Sequence, residues 1–402
     1  MKYRTMRFIG GEENVSLLGL GCMRFPLKED GTIDEFQAEE MIERAINAGI
    51  NYIDTAYPYH KGESEPFLGR ALKKYPRNSF YLATKLPVWL VNSVEDAERL
   101  FKEQLSRLQT KYIDYYLLHA LDAGRWEKLV KEGIIQWAEE KKASGQIRHL
   151  GFSFHGTVDT YDYALSLHDE VKWDFVQIQL NYVDWKHSSG RNVNADYLYD
   201  ELVKRNIPAI IMEPLLGGRL SNVPTHIMTR LKQRRPEDSV ASWAFRFAGS
   251  PELVLTVLSG MTYMEHLQDN IRTYSPLIPL TDDDKEFLEE TAQLMLKYPT
   301  VPCNDCKYCM PCPYGIDIPA VLIHYNKCVN EGNVPKSQQD ENYRKARQAF
   351  LVGYDRSVPR LRQANHCIGC DQCSPHCPQS INIPRELRRI DGFVEQLKQG
   401  TL

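Results

Sequence analysis

The stretch Gly49-Ile-Asn-Tyr-Ile-Asp54-Thr-Ala-Tyr-Pro-Tyr59 decides the fold of this chain. Its apolar residues at 50–53 predict a short buried strand that ends at the carboxylate of Asp54. A turn follows and presents Tyr59. Because a buried ionisable group needs a compensating partner, a strand that ends on one indicates a functional site if other strands bring matching groups to the same place.

The same unit, a strand followed by a helix, recurs along the first two-thirds of the chain. The predicted strands cover residues 16–22, 50–54, 80–85, 113–119, 149–153, 175–179, 209–212 and 253–258. Strands that alternate with helices predict a parallel sheet. Units of this number and length predict an α/β fold of the (β/α)8 TIM barrel type. A doubly wound open sheet is the alternative, although no G-x-G-x-x-G follows the first strand.

The overall composition argues against several classes of function. The net charge of −4 and the pI of about 6.3 create no field that would attract nucleic acid or an anionic membrane. No run of about 18 apolar residues predicts a membrane span. The first eight residues lack the apolar centre of a signal peptide, so we expect a cytoplasmic protein.

Three neighbouring predicted strands end on ionisable residues. Asp54, Lys85 and His119 end the second, third and fourth strands, and Tyr59 follows in a loop. Alone, Lys85 could be an exposed strand end, His119 a core histidine and Tyr59 a packed loop residue. Active sites of such barrels lie at the carboxyl ends of the strands, so the four side chains are expected to meet. We expect Lys85 to lower the pKa of Tyr59, Asp54 to orient Lys85, and His119 to donate to a carbonyl oxygen.

These residues lie in motifs that resemble the aldo-keto reductase family. The motifs are Asp54-Thr-Ala-x-x-Tyr59, Gly62-x-Ser64-Glu65, Leu68-Gly-Arg-Ala-Leu72, Thr84-Lys85 and Leu118-His119. The resemblance implies a barrel that binds NADP or NAD across the carboxyl ends of its strands. It also implies reduction of an aldehyde or ketone, with Tyr59 as general acid, Asp54 and Lys85 as tuning residues and His119 as the residue that orients the substrate.

The resemblance also implies the residues that hold the dinucleotide. These are Gly21, Met23, Asp54, Ser153, Gln177, Met212, Pro214, Leu215, Gly217, Gly218, His266, Asp269 and Asn270. Two positions depart from the family pattern: Phe154 stands where asparagine is usual, and Met212 replaces an aromatic ring. Gly260 and His266 stand where cations would hold a 2′-phosphate, so both NADP and NAD remain open. Substrate choice is assigned to loops such as residues 183–194.

The cysteine distribution divides the chain into a predicted barrel, residues 1–285, and a C-terminal domain, residues 286–402. Nine of the ten cysteines lie in the second part. In a reducing compartment, such density favours metal binding over disulfides. Two runs carry the predicted ligands: Cys303, Cys306, Cys309 and Cys312, then Cys367, Cys370, Cys373 and Cys377. Cys328 lies outside both runs and is expected to be a packed thiol.

The second cysteine run has the spacing of bacterial ferredoxins, and the first differs only in having two residues, not three, before its last cysteine. In two-cluster ferredoxins the last cysteine of each run ligates the other cluster. That rule predicts one [4Fe–4S] cluster on Cys303, Cys306, Cys309 and Cys377, and a second on Cys367, Cys370, Cys373 and Cys312. Zinc is the alternative metal. The whole chain resembles the branch of the aldo-keto reductases that has a mostly helical C-terminal 4Fe-4S ferredoxin-type domain.

Two further features of the C-terminal part carry predictions. Each cysteine run is followed by Ile-x-Ile-Pro, ending at Pro319 and Pro384, which suggests an internal duplication and predicts two helix starts. Between the runs lies a basic segment, which we define by Arg344, Lys345, Arg347, Arg356, Arg360 and Arg362. It is either a solvated helix face or a docking patch for an acidic electron-carrier protein.

Two functions follow from these observations. The first is NAD(P)H-dependent reduction of a small-molecule carbonyl, with iron–sulfur clusters that transfer electrons or stabilise the C-terminal domain. Nicotinamide transfers a hydride, whereas a cluster transfers single electrons, so both roles of the clusters stay open. The alternative is a nucleotide-binding redox sensor with little carbonyl turnover, which the unusual Phe154 and Met212 favour.

Overall fold

The computed structural model describes residues 1–8, 11–121, 123–189 and 192–402. Its strands are β1 Tyr3–Phe8, β2 Gly11–Ser16, β3 Leu18–Gly21, β4 Tyr52–Asp54, β5 Tyr81–Leu86, β6 Ile113–Leu121, β7 Ile147–Phe154, β8 Phe175–Gln179, β9 Ala209–Met212 and β10 Val254–Gly260. Its helices up to the last barrel strand are α1 Glu35–Asn47, α2 Ser64–Ala71, α3 Val94–Arg107, α4 Ala123–Lys131, α5 Ile134–Ala143, α6 Val158–Ser166, α7 His168–Val171, α8 Asp184–His187, α9 Ala195–Arg205, α10 Thr225–Arg234 and α11 Val240–Gly249. The remaining helices are α12 Met264–Thr273, α13 Asp282–Met295, α14 Ile318–Asn330, α15 Tyr343–Ser357 and α16 Ile383–Gln399.

Strands β3 to β10 form a closed barrel in the order β10-β3-β4-β5-β6-β7-β8-β9. Neighbouring strands are parallel throughout. The predicted (β/α)8 barrel is therefore confirmed, and the doubly wound open sheet is excluded. All the predicted strands are found, because short apolar runs covered on both faces have a distinct sequence pattern.

Strand register brings the predicted catalytic residues to one end of the barrel. Gly21 pairs with Asp54, and Asp54 pairs with Ala83, two residues before Lys85. His119 follows the last paired residue of a ladder in which Lys85 lies opposite Leu117. The carboxyl ends of β4, β5 and β6 therefore converge on one small region, as the sequence predicted.

The hairpin of β1 and β2 packs its inward face on the amino end of the barrel. Met6 and Val15 share a buried cluster with barrel residues such as Tyr115. The buried carboxylate of Glu13 accepts hydrogen bonds from the Tyr115 hydroxyl, 2.9 Å away, and from His149 Nε2, 3.1 Å away. These contacts give hydrogen-bond partners to the buried Glu13 carboxylate, the Tyr115 hydroxyl and one ring nitrogen of His149.

Helical segments deviate from the sequence-based expectation in two places. The helical pattern of residues 126–143 predicts one helix, but the structure has two there, α4 and α5, with Gly133 at φ 71° before the second. Glycine adopts this left-handed conformation without steric cost, so it ends the first helix. The sequence predicts a loop between β9 and a helical stretch near residues 238–248, but α10 forms within that loop.

Two compact units divide the chain. The first contains residues 1–188, 193–214 and 242–285, and the second contains residues 189–192, 215–241 and 286–402. The second unit therefore includes two segments that follow β8 and β9 in the sequence. The sequence did not indicate this, and the predicted division into 1–285 and 286–402 stays a proposal.

The second unit has its own apolar core, built by α14, α15 and α16. Both predicted Ile-Pro helix starts are confirmed. Asp317 caps α14 by accepting from the Ala320 amide, and Asn382 caps α16 by accepting from the Arg385 amide. Proline in the first turn of a helix costs no helical hydrogen bond. The two helices therefore begin in the same way, with a capping side chain followed by Ile-Pro.

Across the described ranges, no helix combines the length and the apolar character that a bilayer crossing requires.

Candidate active site

The centre of the site is a buried ion pair between two neighbouring barrel strands. Lys85 Nζ lies 2.7 Å from each carboxylate oxygen of Asp54, and it also donates to the carbonyl oxygen of Thr55, 2.8 Å away. The side chain of Lys85 is fully buried, and Asp54 is 3% exposed. Burial raises the pKa of the Asp54 carboxyl, and the Lys85 ammonium opposes that shift. The arrangement fixes the ammonium in one orientation.

Tyr59 completes this centre from the turn after β4. Its hydroxyl lies 3.5 Å from Lys85 Nζ, and the ammonium also lies 5.0 Å from the centre of its ring. Desolvation raises the pKa of Tyr59 well above its ordinary value, and the charges of Asp54 and Glu213 raise it further. The expectation that Lys85 lowers the pKa of the Tyr59 phenol was therefore wrong: loss of water outweighs the neighbouring ammonium.

His119 lies beside the tyrosine at the end of β6. The two rings meet edge to face with their centroids 6.4 Å apart. Burial lowers the pKa of His119 well below its ordinary value, and the positive charges of Lys85, His155 and Arg125 lower it further. The imidazole is thus neutral at pH 7, and its buried Nδ1 has no hydrogen-bond partner among the described residues.

Trp89 is a site residue that the sequence analysis missed. Its ring lies 5.2 Å from that of His119, and 40% of its surface is exposed. Trp89 belongs to a short turn, Val88–Leu90, immediately after β5. Its only sequence signal is its position just after the strand that ends with Lys85, and that signal is weak because loop conformation decides where such a ring points.

A buried polar network supports Lys85 from behind. Glu65, from the Gly-x-Ser-Glu motif, accepts hydrogen bonds from Thr84 Oγ1 at 2.7 Å and from Gln104 Nε2 at 2.8 Å. Gln104 Nε2 also lies 3.0 Å from the carbonyl oxygen of Lys85. Arg107 approaches the same carboxylate at 3.4 Å. This network links α2 and α3 to β5 and holds the backbone that carries the lysine.

The residues expected to hold nicotinamide lie on adjacent barrel strands. Ser153 pairs with Gln177 in the ladder between β7 and β8, and both are buried. Gln177 Nε2 lies 3.4 Å from the sulfur of Met212, while its Oε1 is buried without a partner among the residues described. An unpaired buried acceptor suits the amide donor of a carboxamide.

Phe154 does not take the position of the usual asparagine. It is 3% exposed, and its ring packs against Tyr161 of α6 at 4.8 Å. Alternation along β7 gives Ser153 and Phe154 opposite directions, so the aromatic ring contributes to packing outside the barrel. The amide that the family pattern supplies at this position is therefore absent.

The adenosine-end residues are spread over β10 and α12. Asn270 is buried and donates to Ser259 Oγ at 3.0 Å, and Asp269 is paired with Arg272. His266 is exposed beside the ring of Tyr263. A Cβ at Gly260 would lie 3.2 Å from Cγ of Arg24. Glycine at this position therefore leaves room for the arginine side chain. Neither Arg24 nor its relation to Gly260 was foreseen.

The sequence of the barrel also matches a known family. The sequence model of the aldo/keto reductase family matches residues 17–292. This chain belongs to the aldo/keto reductase family. It is 34% identical over 315 residues to YqkF, an uncharacterised oxidoreductase of Bacillus subtilis, covering 71% of this chain and 95% of that protein. The chain is therefore an oxidoreductase of the aldo-keto reductase type.

Other relatives bear more specific names. L-galactose dehydrogenase of Arabidopsis thaliana is 26% identical over 305 residues, covering 70% of this chain and 91% of that enzyme. The NADH-specific methylglyoxal reductase of Escherichia coli is 24% identical over 310 residues, covering 66% and 90%. An aldo-keto reductase of Klebsiella pneumoniae in complex with NADPH has the same fold, with a TM-score of 0.59 and 22% identity, covering 73% of this chain and 96% of that one.

Three further predicted residues of this aldo/keto reductase, Leu215, Gly217 and Gly218, lie in its second unit. Within the segment 215–222, Gly217 has φ 66° and Gly218 has φ 92°. The segment forms consecutive turns, with the Gly218 and Leu220 amides donating to the carbonyl oxygen of Leu215. Met23 and Pro214 lie in the first unit, each two residues after the end of its strand; Pro214 is buried and Met23 is half-buried. Of the loop 183–194, residues 190 and 191 lie outside the described residues.

The cysteine thiols group across the two runs. Charge on Cys377 raises the pKa of Cys303, and charges on Cys303, Cys377 and Cys373 raise that of Cys309, in each case after the larger effect of burial. Burial, Asp371, Cys367 and Cys312 likewise raise the pKa of Cys373. Within the described ranges, however, no three Cys, His, Asp or Glu side chains are gathered closely enough to hold a metal ion. The thiols are neighbours without forming a closed site.

Cys328 and the basic segment have simpler environments. Cys328 is 2% exposed in the apolar core, with Sγ 3.4 Å from His324 Nε2, as expected of a packed thiol. In the basic segment, Arg347 donates to the carbonyl oxygens of Leu397 and Lys398 and thereby holds the end of α16. The other five basic residues are exposed.

Proposed function

We propose that this chain reduces an aldehyde or ketone with NADPH or NADH. The position of Lys85 Nζ carries the proposal, because it lies 2.7 Å from the Asp54 carboxylate and 3.5 Å from the Tyr59 hydroxyl. Such a cluster can give a proton to a carbonyl oxygen and stabilise the charge that remains. Trp89 and His119 border the place where a small carbonyl compound would meet the phenol.

The proton chemistry follows from the charges around Tyr59. At neutral pH the phenol keeps its proton, since its pKa is raised. As hydride reaches the carbonyl carbon, the oxygen takes the proton of Tyr59, and the resulting phenolate faces the Lys85 ammonium. Neutral His119 can donate a hydrogen bond to the same oxygen without competing for the proton. Asp54 orients Lys85 by accepting its hydrogen bonds.

The chain's residues suit a dinucleotide. Gln177 Oε1 is a buried acceptor awaiting a donor, and Ser153 and Met212 lie next to it on the flanking strands. A bound reduced nicotinamide would supply the hydride. Asp269 and Asn270 are proposed for the adenine end, with Gly217 and Gly218 for the pyrophosphate. We propose that both NADPH and NADH be tested, because the relatives include an NADH-specific reductase and a complex with NADPH.

We further propose two [4Fe–4S] clusters with ligands exchanged between the runs. The neighbourhood of the thiols supports this pairing in part. Charge on Cys377 raises the pKa of Cys303 and of Cys309, and charges on Cys367 and Cys312 raise that of Cys373, but Cys373 also raises the pKa of Cys309 in the other set. Bound clusters would supply single-electron transfer or a covalent cross-link between the runs. The exposed part of the basic segment, near the second run in sequence, is proposed to receive an acidic electron carrier.

Anaerobic purification of the full chain tests these proposals together. Iron and sulfide counts near eight atoms of each per chain are expected for two [4Fe–4S] clusters. A screen of aldehydes and ketones with both nicotinamides should show turnover. Zinc in place of iron would contradict the cluster proposal. No turnover with either nicotinamide would contradict the reductase proposal.

The second candidate, a nucleotide-binding redox sensor, is favoured by one observation. Phe154 packs outward on Tyr161, so the nicotinamide pocket lacks an amide that the family pattern includes. Tight binding of dinucleotide without turnover, in protein with full metal content, would favour the sensor.

A further inference from the structure

The turn that carries Tyr59 has an unfavourable backbone conformation. The three residues that follow the tyrosine, His60, Lys61 and Gly62, have φ of 52°, 58° and 93°. Glycine adopts such left-handed angles freely, but a residue with a Cβ keeps them only where the surrounding structure holds it. Contacts between this turn and the rest of the first unit must therefore keep the Tyr59 hydroxyl beside Lys85.

The imidazole of His60 makes one of these contacts. Its Nε2 accepts a hydrogen bond from the backbone N–H of Phe25, 3.2 Å away. The two rings are also stacked, with their centroids 5.8 Å apart and an angle of 24° between their planes. Because His60 directly follows Tyr59 in the chain, this contact fixes the backbone that carries the phenol.

Phe25 is itself firmly held. Its side chain is 2% exposed, and its ring packs edge to face on Phe67 of α2, with the centroids 5.2 Å apart. The carbonyl oxygen of the next residue, Pro26, accepts a hydrogen bond of 2.8 Å from the backbone amide of Asp34. His60 thus bonds to a backbone amide whose position is fixed by packing and by its neighbour in the chain.

Ser64 makes a second contact at the end of the turn. Its hydroxyl donates to the carbonyl oxygen of Cys22 at 3.1 Å and lies 2.9 Å from Thr55 Oγ1. Ser64 is the first residue of α2, so this contact fixes where the chain enters the helix. The His60 contact differs, because it acts on the left-handed residues themselves.

The contact with Phe25 requires one protonation state of His60. A neutral imidazole that carries its proton on Nδ1 can accept a hydrogen bond at Nε2, whereas a protonated imidazole has two donors and no acceptor. The Phe25 amide is also a donor, so protonation of the ring removes the bond. The turn is therefore held by the neutral form of His60.

Other ionisable groups occur on the segments that meet at this contact. They are Arg24 on the Phe25 segment, Tyr59, Lys61 and Glu63 on the turn, and Glu65 on α2. Burial raises the pKa of Tyr59 and of Glu65. Glu65 is bonded to Thr84 and Gln104 and is the one that a test of pH dependence must separate from His60.

We infer that His60 is a positioning residue for Tyr59: through the hydrogen bond that it accepts from Phe25, it holds the left-handed turn in the conformation that keeps the phenol hydroxyl beside Lys85. This inference rests on the proposed function, in which Tyr59 is the general acid. The rate of proton transfer then depends on a side chain that acts only through the position of the phenol.

Two substitutions of His60 separate the acceptor from the ring. His60→Phe keeps a ring that can stack on Phe25 but removes the acceptor, and kcat for carbonyl reduction should fall about 10- to 100-fold, as expected for a misplaced reacting group. The KM of the carbonyl substrate and the Kd of NADPH should stay near their wild-type values. His60→Gln supplies an amide oxygen as acceptor and should keep most of kcat. Thermal unfolding checks that both variants are folded.

The pH dependence of kcat gives a readout that a purely structural role would not change. In the wild type, kcat should decline on the acid side of about pH 6.5, the ordinary pKa of histidine, because protonation removes the bond. His60→Gln should lack this decline, since an amide does not titrate. A decline that persists in His60→Gln would come from another group, such as Glu65, and would overturn the inference.

A double substitution tests whether His60 acts through Tyr59. In a Tyr59→Phe background, His60→Phe should cause no further loss of kcat, because two residues that act through the same group are not additive. An equal loss with and without the Tyr59 hydroxyl would overturn the inference, as would an unchanged kcat in His60→Phe. Either result leaves the reductase standing. Absence of carbonyl turnover in the wild type overturns the proposed function, and the inference with it.

Discussion

Lys85 Nζ is 2.7 Å from both carboxylate oxygens of Asp54, in a site where the lysine side chain is fully buried. The pair joins the ends of β4 and β5, and it places the Lys85 ammonium 3.5 Å from the Tyr59 hydroxyl. A buried ion pair contributes little net stability, since desolvation offsets the attraction. Its value here is the fixed position of one positive charge.

Replacing Tyr59 by phenylalanine should remove the general acid. Steady-state reduction of an accepted carbonyl substrate is expected to slow by about 100- to 10,000-fold, the usual contribution of such a group. The Kd of NADPH should change little. Tyr57→Phe is the control, because the Tyr57 hydroxyl contacts Glu103 at 3.3 Å, away from Lys85. Full activity in Tyr59→Phe would refute the assignment.

Replacing Lys85 by methionine should destabilise the protein. It leaves the Asp54 carboxylate buried and unpaired, which typically costs about 3–5 kcal/mol. The loss should shrink as the pH falls, because protonation of Asp54 removes the unpaired charge and burial already raises its pKa. Urea unfolding measures the loss. The double variant with Asp54→Asn should recover part of it, and a double variant as unstable as the single one would contradict the explanation.

The pH profile of carbonyl reduction should be flat through neutrality. The acid must be protonated to act, and a pKa raised well above the ordinary value of about 10 keeps Tyr59 protonated up to strongly alkaline pH. His119, with its pKa lowered, is neutral over the same range and adds no inflection. The measurement is kcat/KM from about pH 6.5 to pH 9.5. A decline centred below pH 8 would mean that bound dinucleotide reverses the shift.

Single cysteine variants should sort into two classes by ligand set, not by run. Cys377→Ser is expected to resemble Cys303→Ser, with loss of about half the iron and one EPR signal. Cys312→Ser should resemble Cys370→Ser and lose the other signal. Cys328→Ser, a change in the apolar core outside both runs, is the control and should keep all the metal. Grouping of Cys377 with Cys370 would disprove the exchange of ligands.

Local sequence sufficed for the elements and for the candidate catalytic residues. The apolar runs that end at Asp54, Lys85 and His119 fix where the strands stop, and parallel register then aligns those ends. The helix starts at Ile318 and Ile383 were readable for a similar reason, since capping and proline act within a few residues. Such features depend on neighbours in the chain.

Only the tertiary structure decided the properties that depend on distant neighbours. The pKa of Tyr59 rises because packing removes water from its hydroxyl, and this effect is larger than the lowering expected from Lys85. Trp89 joins the site through the conformation of a loop. Gly217 meets Asn304, more than eighty residues later in the sequence, although both segments had been assigned separate roles. The sequence determined which chemistry is present, because strand endings and cysteine spacing are local, whereas dielectric environment and long-range contact exist only once the chain is packed.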